Sequence, residues 1–276
     1  VHDTHTAIIG GLDMEFGSWT DGLTEGTSNA YDNYWLANSY LKGIKEGIYT
    51  DKELNEKVRR VLRLTFRTAM NNDRPWGSMV SDAHKTACRK IGEEGIVLLQ
   101  NNANLLPINL SKVKRIAVIG ENAIKMMTVG GGSSSLKVKY EVTPLEGLKK
   151  RLGEQAEIIY ARGYVGDPTG EYNGVKTGQN LKDDRSPKEL RTEALQVASN
   201  ADIVLFIGGL NKSEYQDCEG TDRKTMDLPY NQNELIMDLL QVNKKLVVIN
   251  ISGTGVAMPW KNHVSTILQA WYLDRK

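Results

Sequence analysis

Two cysteines in 276 residues, Cys88 and Cys218, exclude a disulfide framework, and their separation fits neither a zinc nor a redox motif. The four histidines, His2, His5, His84 and His263, show no metal-ligand spacing, so no metal site is expected. No apolar run approaches the roughly 18 to 20 residues that span a bilayer, and the opening VHDTHTA carries neither the basic nor the apolar part of a signal peptide. An excess of one charge is missing as well. The 35 basic and 34 acidic side chains give a formal charge of +1, which excludes an electrostatic footprint for nucleic acid or for an acidic membrane surface. What the chain does have is 40% apolar residues, enough for a real core in one large or two ordinary domains.

Along the first 70 residues the pattern reads as a short mixed helical stretch, an apolar strand and two helices. GLDMEFG, Gly11 to Gly17, is bounded by glycines like a strand with its exit turn. Asn29 to Gly47 places Tyr31, Tyr34, Trp35, Ala37, Leu41 and Ile44 at helical spacing. Thr50 caps the next helix with Glu53 as its capping-box partner, and Leu54, Val58, Val61, Leu62, Leu64 and Phe66 form its apolar stripe. One strand and three helices cannot bury those stripes alone, so the segment reads as the tail of a larger α/β layer. Residues 71–81, NNDRPWGSMVS, break the periodicity and read as a linker.

A second domain, residues 82–276, begins with a predicted helix from Asp82 to about Gln100. Apolar strands then recur at Arg115 to Gly120, Ala156 to Tyr160, Ile203 to Gly208, Leu246 to Ile251 and Ser265 to Ala270. Helical patterns lie between them at Pro144 to Leu152, Pro187 to Ala198 and Asn231 to Val242. Such alternation predicts a doubly wound α/β fold with a mostly parallel sheet covered on both faces. The polar, glycine-rich stretch Gly163 to Arg185 reads as a long surface loop.

Ligand-contacting groups in such a sheet belong on loops leaving the carboxyl ends of strands. Three loops qualify. One ends in GGGSSS, with Gly131, Gly132, Ser133 and Ser134; one, Gly208 to Arg223, carries Glu214, Asp217, Glu219, Asp222 and Arg223; the third, Ser252 to Pro259, is small and flexible. Glu219, beside a glycine on the acidic loop, is the leading catalytic candidate, with the triple glycine letting backbone approach a ligand closely. Bland alternatives stand beside each. The glycine–serine tract has the composition of a mobile loop, and the acidic stretch that of a solvated surface in which Asp222 and Arg223 pair locally. Cys88 reads as a small core residue, while Cys218, next to Glu219, keeps a local contact within the site as an alternative. A phosphate cradle lacks both the dinucleotide fingerprint and the P-loop spacing after RIAVIG, which counts against a nucleotide-binding domain.

Taken in order, GLDMEFG, HKTACRKIGEEGIVLLQNNANLLPI, RIAVIGENA, GGGSSSLKVKYEVTPLEGL and the run Glu214 to Pro229 resemble glycoside hydrolase family 3, the β-glucosidases and related exo-acting glycosidases. The resemblance covers nearly the whole chain. It implies that residues 1–70 are the last strand and helices of a (β/α)8 barrel, joined by the linker to an α/β sandwich domain. It also implies that Glu219, in the pattern Glu-Gly-x-Asp-Arg, is the acid/base of a retaining mechanism, with Glu214 as the alternative. Asp222 and Arg223 would shape its loop, and GGGSSS would close over the sugar. No cofactor is implied, since two carboxyls and water suffice.

The family's nucleophilic aspartate lies in a Ser-Asp-Trp stretch that these 276 residues do not contain, and Asp3 is not its equivalent. The expectation is an internal portion of a longer enzyme, inactive alone, whose missing barrel portion is its partner and whose substrate is an oligosaccharide or β-glucoside. The expected location is periplasmic or secreted. The competing reading is a non-catalytic carbohydrate-binding or interaction module, for which Glu219 would be dispensable.

Overall fold

Five of the seven α-helices among the described residues begin where a side chain accepts an orphan amide of the first turn. In a computed structural model that describes residues 3–15, 34–128, 138–166, 171–172, 175–176, 179–218 and 220–272, the chain divides into two compact units, Val1–Ser78 and Met79–Lys276.

In the first unit, Asp3 caps α1 (Thr4–Ile9) by accepting from the Thr6 amide at 2.7 Å. Helix α2 spans Asn38–Lys45, shorter than the periodicity predicts. Helix α3 (Asp51–Arg67) opens on the predicted Thr50–Glu53 capping box. Residues 11–15, read from the sequence as the start of a strand, form no ladder, because no other strand lies in this unit among the described residues. Side chains hold them instead. Buried Lys57 donates to the Leu12 and Ile8 carbonyls at 2.6 and 3.4 Å, and burial pushes its ammonium pKa down. Arg60 pairs with Asp13 at 2.7 Å, and the Leu36 amide donates to Glu15 at 2.8 Å. The apolar stripe of α3 is not buried: Leu54, Val58, Leu62, Leu64 and Phe66 are all exposed, and Lys57 is the buried residue of that helix.

In the second unit, Ser81 caps α4 (Asp82–Gly95), and the predicted helix ends there. Its expected continuation is a strand, β1 (Val97–Asn101), because the chain's last described strand, β8 (Thr266–Gln269), supplies an antiparallel partner with Val97 opposite Gln269. The remaining strands follow the sequence pattern: β2 (Arg115–Ile119), β3 (Glu157–Ala161), β6 (Ile203–Gly209) and β7 (Leu246–Ile251). A short hairpin, β4 (Glu171–Tyr172) with β5 (Val175–Lys176), lies in the stretch read as a loop. That stretch is not all surface, since Tyr164 and Leu181 are buried. The three helices between strands, α5 (Pro144–Leu152), α6 (Pro187–Ser199) and α7 (Gln232–Val242), also appear, α5 and α6 with capping boxes and proline in the first turn.

The sheet order is β1-β8-β7-β6-β2-β3, with every pair parallel except β1–β8. Successive residues of each strand point to opposite faces, so Ala117, Ile119, Val204, Phe206 and Val248 pack with α6 and α7. Ile116, Val118, Leu205, Ile207 and Val247 pack with Leu145 of α5 on the other face. This is the doubly wound α/β sandwich that the alternation predicts. Its central strand β6 is buried at all seven residues, as a strand covered on both faces must be.

Two of these strands end on glycines for a steric reason. Gly120 and Gly209 have φ of +119° and +122°, and a Cβ at either would sit 2.1 Å from a carbonyl oxygen of the neighbouring strand, Ile207 or Ile251. Gly209→Ala therefore combines backbone strain with overpacking, together about 2–5 kcal/mol. The expected outcome is a clearly lowered midpoint for the second unit in urea denaturation; an unchanged midpoint would contradict the close strand approach at this position.

Candidate functional site

From β2 the chain moves outward to β3, then returns past β2 to build β6, β7 and β8 on the other side. Strand order thus reverses between β2 and β6, and the crevice beyond their carboxyl ends is where doubly wound sheets bind ligands. Three exits meet at this edge: the turn Glu121–Ala123 after β2, the loop after β6, and residues 252–256 after β7. The buried Asn122 side chain donates to the Leu210 carbonyl at 3.0 Å, tying the first exit to the second.

The β6 loop is closed at its base by one buried amide. Gln232, the first residue of α7, accepts from the Gly209 amide and donates to the Gly209 carbonyl, each at 2.8 Å. Within the loop, buried Asn211 acts as a hub. Its carbonyl accepts from the Asp217 amide at 3.0 Å, its Oδ1 accepts from the Ser213 amide at 2.8 Å, and its own amide donates to Gln216 Oε1 at 3.0 Å. Gln216 in turn donates to the Tyr230 hydroxyl. Farther along, Thr221 Oγ1 accepts from the Tyr215 amide at 2.9 Å and lies 3.0 Å from Cys218 Sγ.

Two side chains join this loop to the β7 exit. The Asp217 carboxylate accepts from the Gly253 amide at 2.6 Å and from the Thr254 hydroxyl at 2.5 Å. Arg223 Nη2 donates to the Gly255 carbonyl at 2.5 Å, while its Nη1 is buried without a hydrogen-bond partner among the described residues. Arg223 therefore does not pair with Asp222, the local ion pair allowed by the sequence; Asp222 is exposed. An open depression of about 580 Å³ is lined by Lys212, Asp217, Cys218, Asp222, Arg223 and Thr254, among others. Glu214 is exposed on the loop's turn, and among the described residues no hydrogen bond or ion pair holds its carboxylate. Glu219, Gly131, Gly132, Ser133 and Ser134 lie outside the described residues. Before and after the glycine–serine stretch the chain is joined by Glu141, whose carboxylate accepts from the Met127 and Thr128 amides at 2.7 and 3.2 Å. The described residues include no cluster of metal-ligating side chains.

A second group of charges lies beyond β2 and β3, and sequence reading missed it. Fully buried Glu121 accepts from Lys125 at 3.2 Å, Arg162 at 2.8 Å and the Gly166 amide at 2.5 Å. Arg162 lies 3.6 Å from Asp183, which binds the Arg185 guanidinium at 2.7 Å. Arg185 holds the Asp183 carboxyl far below the usual carboxylate range, with the Arg185 amide and Arg162 adding to the effect. No local periodicity announces this network, because its members come from three separated segments.

The family description "Glycosyl hydrolase family 3 C-terminal domain" matches residues 96–276. Over 99% of this chain the sequence is 45% identical to "Beta-glucosidase BoGH3A" of Bacteroides ovatus, covering 36% of that protein. It is 31% identical over 87% of its length to "Periplasmic beta-glucosidase" of Salmonella typhimurium, covering 33% of it. A solved GH3 beta-glucosidase from Bifidobacterium adolescentis superposes with a TM-score of 0.72 at 26% identity, over 100% of this chain and 35% of the other. The chain spans about a third of the length of the curated relatives it matches.

The sign of the Asp183 shift sets a pH dependence. Its folded pKa is depressed, so the stability it contributes is complete above the unfolded carboxylate value of about 4 and is lost as pH falls from there towards the folded value. Asp183→Asn should lower the urea midpoint of the second unit at pH 7, with the gap to the parent protein narrowing at pH 3. A gap that stays constant between the two pH values would rule out this linkage.

Proposed function

The chain belongs to glycosyl hydrolase family 3, and from that premise we propose that it supplies the acid/base half of a retaining, exo-acting glycosidase that removes terminal β-D-glucosyl residues. The observation that supports the reading is that residues 217–218 and 220–223, which flank Glu219 in sequence, belong to the loop that leaves β6 at the reversal of strand order. Both named β-glucosidases support the substrate class. On this reading residues 1–70 close a (β/α)8 barrel, 71–81 link it, and 82–276 form the sandwich domain. The nucleophilic aspartate belongs to a part of the enzyme outside these 276 residues. Location in the periplasm or outside the cell follows the Salmonella relative's name, and no helix among the described residues is long and apolar enough to cross a membrane.

The chemistry divides between two carboxyl groups about 5 to 5.5 Å apart. In the first step the aspartate attacks the anomeric carbon, the bond to the glycosidic oxygen breaks, and Glu219 gives that oxygen its proton. In the second, Glu219 takes a proton from water, whose oxygen displaces the aspartate and releases the sugar. No cofactor enters either step. A group with this role must hold its proton near neutral pH, which requires burial or a nearby negative charge. Glu214 is exposed with no hydrogen bond or ion pair among the described residues to position its carboxylate, and the Glu-Gly-x-Asp-Arg pattern carries the choice of Glu219. Gly131, Gly132, Ser133 and Ser134 would cover the sugar, with Asp222 and Arg223 at the edge of the same loop system.

In the whole enzyme, Glu219→Gln should lower kcat/KM for glucosides with poor leaving groups by roughly 10²- to 10⁴-fold and for dinitrophenyl glucosides far less. Equal loss on both would count against proton transfer, and unchanged hydrolysis with intact sugar binding would favour the binding-module reading. The 276-residue chain alone should not turn over an aryl β-glucoside; Glu219-dependent turnover by the pure chain would overturn the assignment of the nucleophile to another part of the enzyme.

A further inference from the structure

Asp217 stands two residues before Glu219, and Arg223 stands four after it. Both reach the same neighbour. Asp217 Oδ2 accepts from Gly253 N at 2.6 Å and Oδ1 from Thr254 Oγ1 at 2.5 Å, while Arg223 Nη2 donates to Gly255 O at 2.5 Å. Three consecutive residues leaving β7 thus grip the β6 loop on both sides of the candidate acid/base. The grip has a fixed base, because Ser252 is itself buried and bonded. Gln269 of β8 donates to the Ser252 carbonyl and hydroxyl at 2.9 and 3.1 Å, and Asn250 of β7 donates to the same hydroxyl at 2.9 Å. Ser252 is thus fixed to the buried sheet, and the next two residues along the backbone, Gly253 and Thr254, bond Asp217. No cation pairs with Asp217 among the described residues, and both of its oxygens are engaged by the β7 exit.

We propose that Asp217 is a positioning residue for Glu219, a step that rests on the acid/base reading of Glu219. Its carboxylate fixes the loop's distance from the β7 exit and so sets where the catalytic proton is delivered. Neutral asparagine keeps a single oxygen in place of two, and alanine keeps none. A displacement of about 1 Å at a reacting group costs on the order of 10²-fold in rate. The two oxygens of Asp217 accept charge-assisted hydrogen bonds, the stronger class, so their loss is large enough to permit such a shift.

The test compares Asp217→Ala, Asp217→Asn and Thr254→Val in the whole enzyme, measuring kcat/KM across aryl glucosides of graded leaving-group ability. Asp217→Ala should lose roughly 10- to 100-fold on poor leaving groups and little on dinitrophenyl glucoside. Thr254→Val deletes one donor and keeps the carboxylate, so it should show the same selectivity at about tenfold or less. In a Glu219→Gln background, Asp217→Ala should add almost nothing on poor leaving groups, since the proton it positions is gone. Equal loss across all leaving groups, or a full additive loss in that background, would overturn the proposal. If Asp217→Ala does not fold, Asp217→Asn and Thr254→Val decide it: wild-type leaving-group dependence in both sinks the positioning role. If Glu219→Gln itself lacks selectivity, the acid/base reading fails; if Glu219→Gln is selective and the Asp217 and Thr254 variants are not, only the present inference fails.

Discussion

The loop that carries the candidate chemistry depends on one side-chain amide, that of Gln232. A long excursion between β6 and α7 leaves the backbone groups at its base without ladder or helix partners, and a buried unpaired group costs about 1–3 kcal/mol. Gln232 answers both groups of Gly209 at once, which fixes where the loop starts and where it returns. The fit is tight on all sides: a Cβ at Gly208 would sit 2.4 Å from Gln232 Oε1, and one at Gly209 would meet the Ile251 carbonyl. Tyr230 and Asn231, just before the clamp, take φ of 60° and 55°, so the chain turns sharply into α7. With the base set in this way, Asn211 can hold the inside of the loop and Asp217 and Arg223 can bind its outer part to the β7 exit.

Most of this architecture was legible because it is local. The continuous apolar runs of β2, β6 and β7 and the Thr50 capping box are written within a few neighbouring residues. Errors arose where a partner from elsewhere in the chain decides. Ile96 to Leu99 suits a helix or a strand equally well by composition, and pairing with β8 near the other end of the chain makes it a strand. GLDMEFG has the look of a strand, and residues 11–15 lack a ladder because no other strand lies in that unit among the described residues. The residues 252–259 read as a small flexible loop because the sequence there shows only small side chains. Their role as an anchor becomes visible only when Asp217 and Arg223 come into contact with them. Asp217 was visible as one acid among four on its loop, and nothing local distinguished it from Glu214 or Asp222.

Carboxylates at the carboxyl edge of the sheet separate by what already occupies their oxygens. Glu121 has its oxygens taken by a lysine, an arginine and a backbone amide, and an acceptor so fully engaged has no lone pair directed at a ligand. Asp183 is similarly committed to Arg185 and Arg162. Asp217 is taken up by the β7 exit. These three hold structure together, and each links segments that the sequence keeps far apart. Glu214 and Asp222 have the opposite problem: they are exposed, and no hydrogen bond or ion pair among the described residues holds either carboxylate in place. A proton donor needs a carboxyl that is neither saturated by donors nor fully hydrated. Among the described acids of the β6 loop none meets both requirements, and the proposal of Glu219, which lies outside the described residues, rests on the Glu-Gly-x-Asp-Arg resemblance.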